Sequence, residues 1–226
     1  MKRERCLHPD AGTDIPKVMR LFCLLLPAFL IPSLTARGDA PAADPQALAE
    51  KALAAAGGKE KVLKIFRVEE LYPFGDTPDP AEGKKRSTRV SVIQQPDKWW
   101  IGRAERGEEA AKDDVRAWSL DLLVDPASVL GAIPDLVDEG VACAGLEVSG
   151  SVTPPMKLYF DKETHRLKRL DWRSDFYRFS EWREQDGLHY AARTIIYQIK
   201  SGKPWFFHEI TGLERLATLP EGLGEP

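Results

Sequence analysis

Residues 146–213 read LEVSGSVTPPMKLYFDKETHRLKRLDWRSDFYRFSEWREQDGLHYAARTIIYQIKSGKPWFFHEITGL. Six extended patterns follow one another in this stretch: 146–152, 156–161, 167–173, 177–183, 188–199 and 205–213. Apolar and aromatic residues alternate with charged ones, as on a pleated strand. The links Lys162-Glu-Thr-His, Gln185-Asp-Gly and Ser201-Gly are of hairpin length. A parallel sheet needs crossovers of a dozen residues or more, so the stretch predicts an antiparallel meander.

Working back toward the N-terminus, 88–94 and 98–103 form another strand pair, turned at Pro96-Asp97, and 64–71 is a first strand. Residues 77–85, rich in Pro, Gly and charge, read as a loop. Asp44-Pro45 has the order of a helix cap and first turn, and Gly57-Gly58 that of a stop. The alanine-rich run between them predicts a helix with Leu48, Ala52 and Ala55 on one stripe, Leu53 and Ala56 beside it, and one further turn within 59–63. Residues 107–114 read as a charged loop and 115–120 as a strand. Asp125-Pro126 repeats the cap-and-proline order and predicts a second short helix to about Ala132, ended by Pro134.

The Ser201-Gly202 turn gives a register. With Lys200 opposite Lys203, Ile195, Tyr197 and Ile199 meet His208, Phe206 and Pro204 on one face. Thr194, Ile196 and Gln198 meet Glu209, Phe207 and Trp205 on the other. Both faces are then substantially apolar. Helices cover one; the other meets a second layer, curls on itself or holds a ligand. The candidate lining is Tyr197 with Phe206 or Ile196 with Phe207, joined by Trp100, Tyr159, Phe179 and Trp182. A one-residue slip exchanges the faces.

The run Leu21–Leu34 is nearly all apolar, follows Lys17 and Arg20, and precedes small residues to Ala40. That is the order of a secretory signal, too short to span a bilayer comfortably. The expected organisation is an upstream tail or over-long start at 1–18, with Met19 as the alternative start. A signal peptide follows at 19–40, then one domain at 41–220 and a tail at 221–226. An uncleaved anchor is the alternative to cleavage. A periplasmic or otherwise exported location follows, with no stable membrane span after cleavage.

The whole chain carries a formal net charge of -3; without residues 1–40 it would be -5. A mildly acidic domain has no general attraction for nucleic acid. Cys143 would be the one cysteine left, in Val141-Ala-Cys-Ala, which reads as a small buried apolar residue. No G-x-S-x-G, Walker loop, G-x-G-x-x-G, H-E-x-x-H or C-x-x-C is present. His165 falls in a turn, while His189 and His208 lie apart on neighbouring strands, so neither a metal site nor a cofactor is expected. The acidic and arginine residues of 169–184 read as cross-strand ion pairs. The protein is read as a non-enzyme.

The order Leu158-Tyr-Phe-Asp161, Thr164, Leu167, then Phe179-Ser-Glu-Trp-Arg-Glu184, Asp186-Gly-Leu188 resembles the hairpin series of the outer-membrane-lipoprotein-sorting superfamily, the Lol-type carriers. The Ala-Gly-Gly-Lys-Glu-Lys segment at 56–61 is similar to that family's first helix end. The resemblance covers roughly residues 45–215. It implies an α+β fold: a curved antiparallel sheet, an incomplete half-open barrel, with helices covering one side. It also implies an apolar concavity for an acyl chain or a lipidated protein. The arginine that holds the family carrier's lid shut has no counterpart that can be placed here. A periplasmic protein-interaction module with a filled core and an envelope protein partner is the alternative; an unrecognised hydrolase using His208 or Glu209 is the third reading.

Overall fold

The structure is a computed structural model and describes residues 44–75, 77–78 and 85–224. The segments read above as upstream tail and export signal, and most of the 77–85 loop, lie outside the described residues.

Helix α1 (Pro45–Ala55) starts where the sequence places it: the Asp44 carboxylate accepts a hydrogen bond from the Gln46 N–H at 3.0 Å. It buries Leu48, Ala49, Ala52 and Leu53, and Ala56 just beyond its end; Ala55 is only half-buried. A 3-10 turn at Lys59–Lys61 follows. The strands are β1 (Ile65–Tyr72), β2 (Ser87–Gln94), β3 (Lys98–Ile101), β4 (Ala104–Glu105), then, after helix α2 (Glu109–Trp118), β5 (Val129–Asp138), β6 (Val141–Ser149), β7 (Met156–Asp161), β8 (Leu167–Trp172), β9 (Asp175–Gln185), β10 (Leu188–Gln198) and β11 (Pro204–Arg215). They form one open, curved antiparallel sheet in the order β4-β3-β2-β1-β11-β10-β9-β8-β7-β6-β5. Two meanders are thus joined where the first strand pairs with the last.

The inward row is continuous. Phe66 and Val68 on β1, Leu146 and Val148 on β6, Leu158 and Phe160 on β7 and Leu170 on β8 are almost wholly buried, in one cluster with α1 and α2. Each such side chain contributes roughly 1.5–3 kcal/mol by leaving water.

Two sequence expectations are overturned. The charged stretch 107–114 and the strand expected at 115–120 form one helix, α2. Glu, Ala and Lys favour helix, and Ala111, Val115 and Trp118 fall at i, i+4 and i+7, a helical stripe that a six-residue window of alternation hides. The helix expected at 125–132 is absent. Asp125 accepts from the Ala127 N–H at 2.8 Å in a turn, and the chain then extends as edge strand β5. Its Pro134 falls where the pairing with β6 is interrupted, a place where a missing N–H costs no ladder bond.

The α1 end abuts the β9–β10 turn: the His189 N–H donates to the Ala56 carbonyl at 2.9 Å. Gly57 has φ 108°, and a β-carbon there would lie 1.9 Å from the Gly187 carbonyl oxygen. Gly57→Ala is therefore expected to destabilise the protein by at least about 2 kcal/mol. Gly202→Ala, at φ 66° with open space around it, should cost only about 1 kcal/mol. Urea unfolding midpoints of the two variants check this.

Candidate functional site

Between α2 and the inward sheet face lies a pocket of about 250 Å³. Four residues of α2 roof it: Ala111, Asp114, Val115 and Trp118, at i, i+3, i+4 and i+7. Its walls come from the joint between the two meanders: Glu70, Arg89 and Trp99 from β1–β3, and Tyr177, Thr194 and Ile196 from β9 and β10. Trp205, Phe206 and His208 of β11 and Phe74 complete it. Phe74 is 69% exposed, and its ring lies 4.9 Å from that of Phe206 and 6.2 Å from that of Trp205. An apolar pocket edged by exposed aromatic surface is the form that small-molecule sites take.

Two polar arrangements are set into this apolar wall. Glu70 and Arg89 are directly opposed on β1 and β2. The Arg89 guanidinium donates twice to the Glu70 carboxylate, at 2.7 and 3.0 Å; Ser91 Oγ donates at 3.2 Å, and His208 Nε2 lies 2.6 Å away. Burial alone would raise the Glu70 carboxyl, but the hydrogen bonds from His208 and Arg89 outweigh it and hold the group at about 2. Arg89 also stacks over Trp99, 4.9 Å from the ring centre. Its charge is spent within the wall.

Asp114 is different. Its Oδ2 accepts from the Tyr177 hydroxyl at 3.1 Å, while its Oδ1 is sealed from solvent with no partner among the described residues. Burial pushes its carboxyl up to about 7 against the pull of the Tyr177 hydrogen bond. Trp99 Nε1 is likewise buried without a partner. A buried polar atom without a partner is uncommon and costs on the order of 1–3 kcal/mol. Here the wall of one pocket carries two.

A DUF1329 family protein from Desulfovibrio piger has a similar structure, with a TM-score of 0.50 at 12% identity, over 78% of this chain and 95% of that one. The two proteins share a fold. A LolA superfamily protein from Nitrosomonas europaea matches with a TM-score of 0.49 at 14% identity, over 76% of this chain and 94% of that one. A putative outer membrane lipoprotein-sorting protein domain from Vibrio parahaemolyticus matches with a TM-score of 0.48 at 12% identity, over 78% and 94%. No family model matches the chain, and no curated protein matches it.

The seven residues proposed from sequence are dispersed. Phe206 lines the pocket. Trp100 is buried on the face of β3 opposite Trp99, near Gly224. Phe179 sits in the core, and Trp182 packs against the core with Arg166 over its ring. Tyr159, Tyr197 and Phe207 are placed away from the pocket. Tyr197 stacks on Phe176 at 4.8 Å, and both rings carry Arg178.

The expected register is corrected. Ile196 pairs with Phe206 and Ile195 with Phe207, so neither expected inward pair forms. The turn spans residues 199–202, and the pairing shifts between Ile196 and Tyr197, leaving Trp205 as an extra residue on β11. The face away from the helices is also more polar than that register implied. Arg169 and Arg178 are directly opposed there and share the buried Asp138 carboxylate, at 3.0 and 2.9 Å. Of the cross-strand ion pairs expected among residues 169–184, only Arg169–Asp171 forms, and it lies within β8; Arg178 instead takes Asp138 and Glu139 from the end of β5 and the turn after it, and Arg183 takes Glu209 of β11.

His208 lines the pocket, whereas Glu209 faces Arg86 and Arg183. Cys143 is buried and free, its thiol raised by burial. Among the described residues no group of three or more His, Cys, Asp or Glu is placed to hold a metal, and no helix is long and apolar enough to cross a membrane. The signal that would have found the site is an aspartate at i+3 within the Ala111, Val115, Trp118 stripe.

Proposed function

We propose that the protein is an exported, non-enzymatic carrier or sensor that holds one slim apolar molecule in the pocket beneath α2. The observation that carries this reading is the pocket itself, an apolar space of about 250 Å³ with an exposed aromatic rim. Its size is just below the ~300 Å³ at which drug-sized ligand sites begin, which favours a short acyl or similar segment over a bulky anchor. The basic-then-apolar order of residues 17–34 supports export. The hairpin motifs shared with lipoprotein-sorting carriers support an acyl chain, free or on a lipidated protein.

The test is binding of an environment-sensitive short-chain fatty-acyl probe to the purified domain, together with mass spectrometry of lipids that copurify from native cells. Ala111 is half-buried on the roof, so Ala111→Trp sends its ring into the pocket. That variant should weaken probe binding at least about tenfold while changing stability by no more than about 1 kcal/mol. Absence of both probe binding and copurifying lipid, with one stoichiometric envelope protein captured by cross-linking, would replace the ligand reading with that of a protein-interaction module.

A further inference from the structure

Phe74 is the most exposed aromatic ring of the rim, and it is not on a frayed end. The Phe207 N–H donates to the Pro73 carbonyl at 3.1 Å, the Gly75 N–H donates to the Trp205 carbonyl at 2.8 Å, and Phe74 itself bridges to Phe206. The backbone on both sides of the ring is thus clamped to β11. The ring, 69% exposed, is held out in water against Phe206 and Trp205. Tyr72 joins the same cluster, 5.9 Å from Phe74 and 6.1 Å from Phe206. A contiguous apolar patch held in solvent by fixed backbone is the mark of a contact surface.

This patch runs into a cationic turn. Residues 197–207 read YQIKSGKPWFF and contain no acid. Ile199, 50% exposed, lies on the β10–β11 turn beside the exposed Lys200 and Lys203. Lys203 stands two residues before Trp205, about 7 Å along the strand. Neither lysine has an ion-pair partner among the described residues. Asp175 borders the patch, but its carboxylate accepts from Trp205 Nε1 at 3.2 Å.

We propose that the Phe74 patch and the Lys200–Lys203 turn together dock the protein on an anionic lipid bilayer. Aromatic rings with polar tips favour the headgroup layer, where unpaired ammonium groups meet lipid phosphates. An apolar groove on a protein would take the ring but has no need of two unpaired lysines next to it. The chain's net charge is negative, so the attraction is local, acting over a screening length of about 10 Å. Docking does not require the pocket to be filled. Phe74, Trp205 and Phe206 also line the pocket, so a docked protein would turn the pocket's aromatic rim toward lipid.

The experiment is vesicle flotation of residues 41–226, which omit the apolar run 21–34 and keep the whole described core. Vesicles of phosphatidylcholine alone are compared with vesicles that also hold about 30% phosphatidylglycerol. The expected result is binding at least about tenfold tighter to the anionic vesicles, weakened by raised salt. Phe74→Ser should weaken it at least about tenfold, and Phe74→Trp should restore it. Lys200→Glu combined with Lys203→Glu should also weaken it at least about tenfold, while leaving the short-chain fatty-acyl probe bound as before, since neither lysine lines the pocket. No binding to either vesicle overturns the inference. So does equal binding to both, or binding that Phe74→Ser leaves unchanged. Vesicle binding without probe binding overturns the pocket reading and leaves the docking surface standing; probe binding without vesicle binding does the reverse.

Discussion

Glu70→Ala should lower the free energy of unfolding by roughly 3–5 kcal/mol, read as a fall in the urea midpoint. The alanine removes the acceptor for both Arg89 bonds, for Ser91 Oγ and for His208. It leaves the Arg89 guanidinium in the pocket wall without the carboxylate that held it by two bonds. Glu70 lies on the inward row that begins with Phe66 and Val68, so water reaches the gap poorly. Glu70→Gln keeps an acceptor and should cost about half as much.

The same group gives an acid limit. The folded carboxyl is held at about 2 against an ordinary 4.5, so the unfolded chain takes up the proton first as pH falls. Its contribution is full above about pH 4.5 and is lost as pH falls toward about 2, a loss on the order of 3 kcal/mol. In Glu70→Gln that part of the acid sensitivity should vanish.

Asp114→Asn has the opposite sign. The folded wild-type carboxyl is raised from 3.8 to about 7, so the folded chain holds its proton more tightly than the unfolded one. Its neutral form costs nothing below about pH 4. The penalty grows as pH rises toward about 7 and is complete above it. The asparagine still accepts from the Tyr177 hydroxyl and carries no charge to bury. The stability difference between variant and wild type should therefore shift in the variant's favour by roughly 3–4 kcal/mol between about pH 4 and about pH 8. Thermal unfolding across that range measures it; a difference that does not change with pH would show that Asp114 is not held as a buried acid. The Glu70 contribution falls away below about pH 4.5 and the Asp114 penalty grows above about pH 4, so the sum of these two groups' contributions is greatest between them, at about pH 4.

A carboxyl that is costly to ionise and an indole N–H with no acceptor are local violations of good packing. Such violations concentrate where a protein keeps a site for something else.

Much of this was legible in the chain. The six C-terminal strands are marked by alternation and short turns, and α1 by Asp44, Pro45 and Gly57, because these signals act within a few residues of one another. Helix α2 was hidden because the stripe it turns toward the sheet mixes Ala, Asp, Val and Trp, and it also buries Lys112 and Arg116, so its pattern resembles a helix only once it has a partner to face. Asp125-Pro126 misled because the same residues begin turns as readily as helices.

By itself the sequence determined an antiparallel meander with an N-terminal helix and none of the common nucleophile, phosphate or zinc motifs, since periodicity, caps and motifs are local properties. Only the tertiary structure decided which aromatics meet. Trp99 rather than Trp100 faces the pocket, and one extra residue at Trp205 brings Phe206 inward with Ile196. A strand's faces exchange with every residue, so the register that selects the lining is set by long-range pairing and a bulge, which no short stretch of chain encodes.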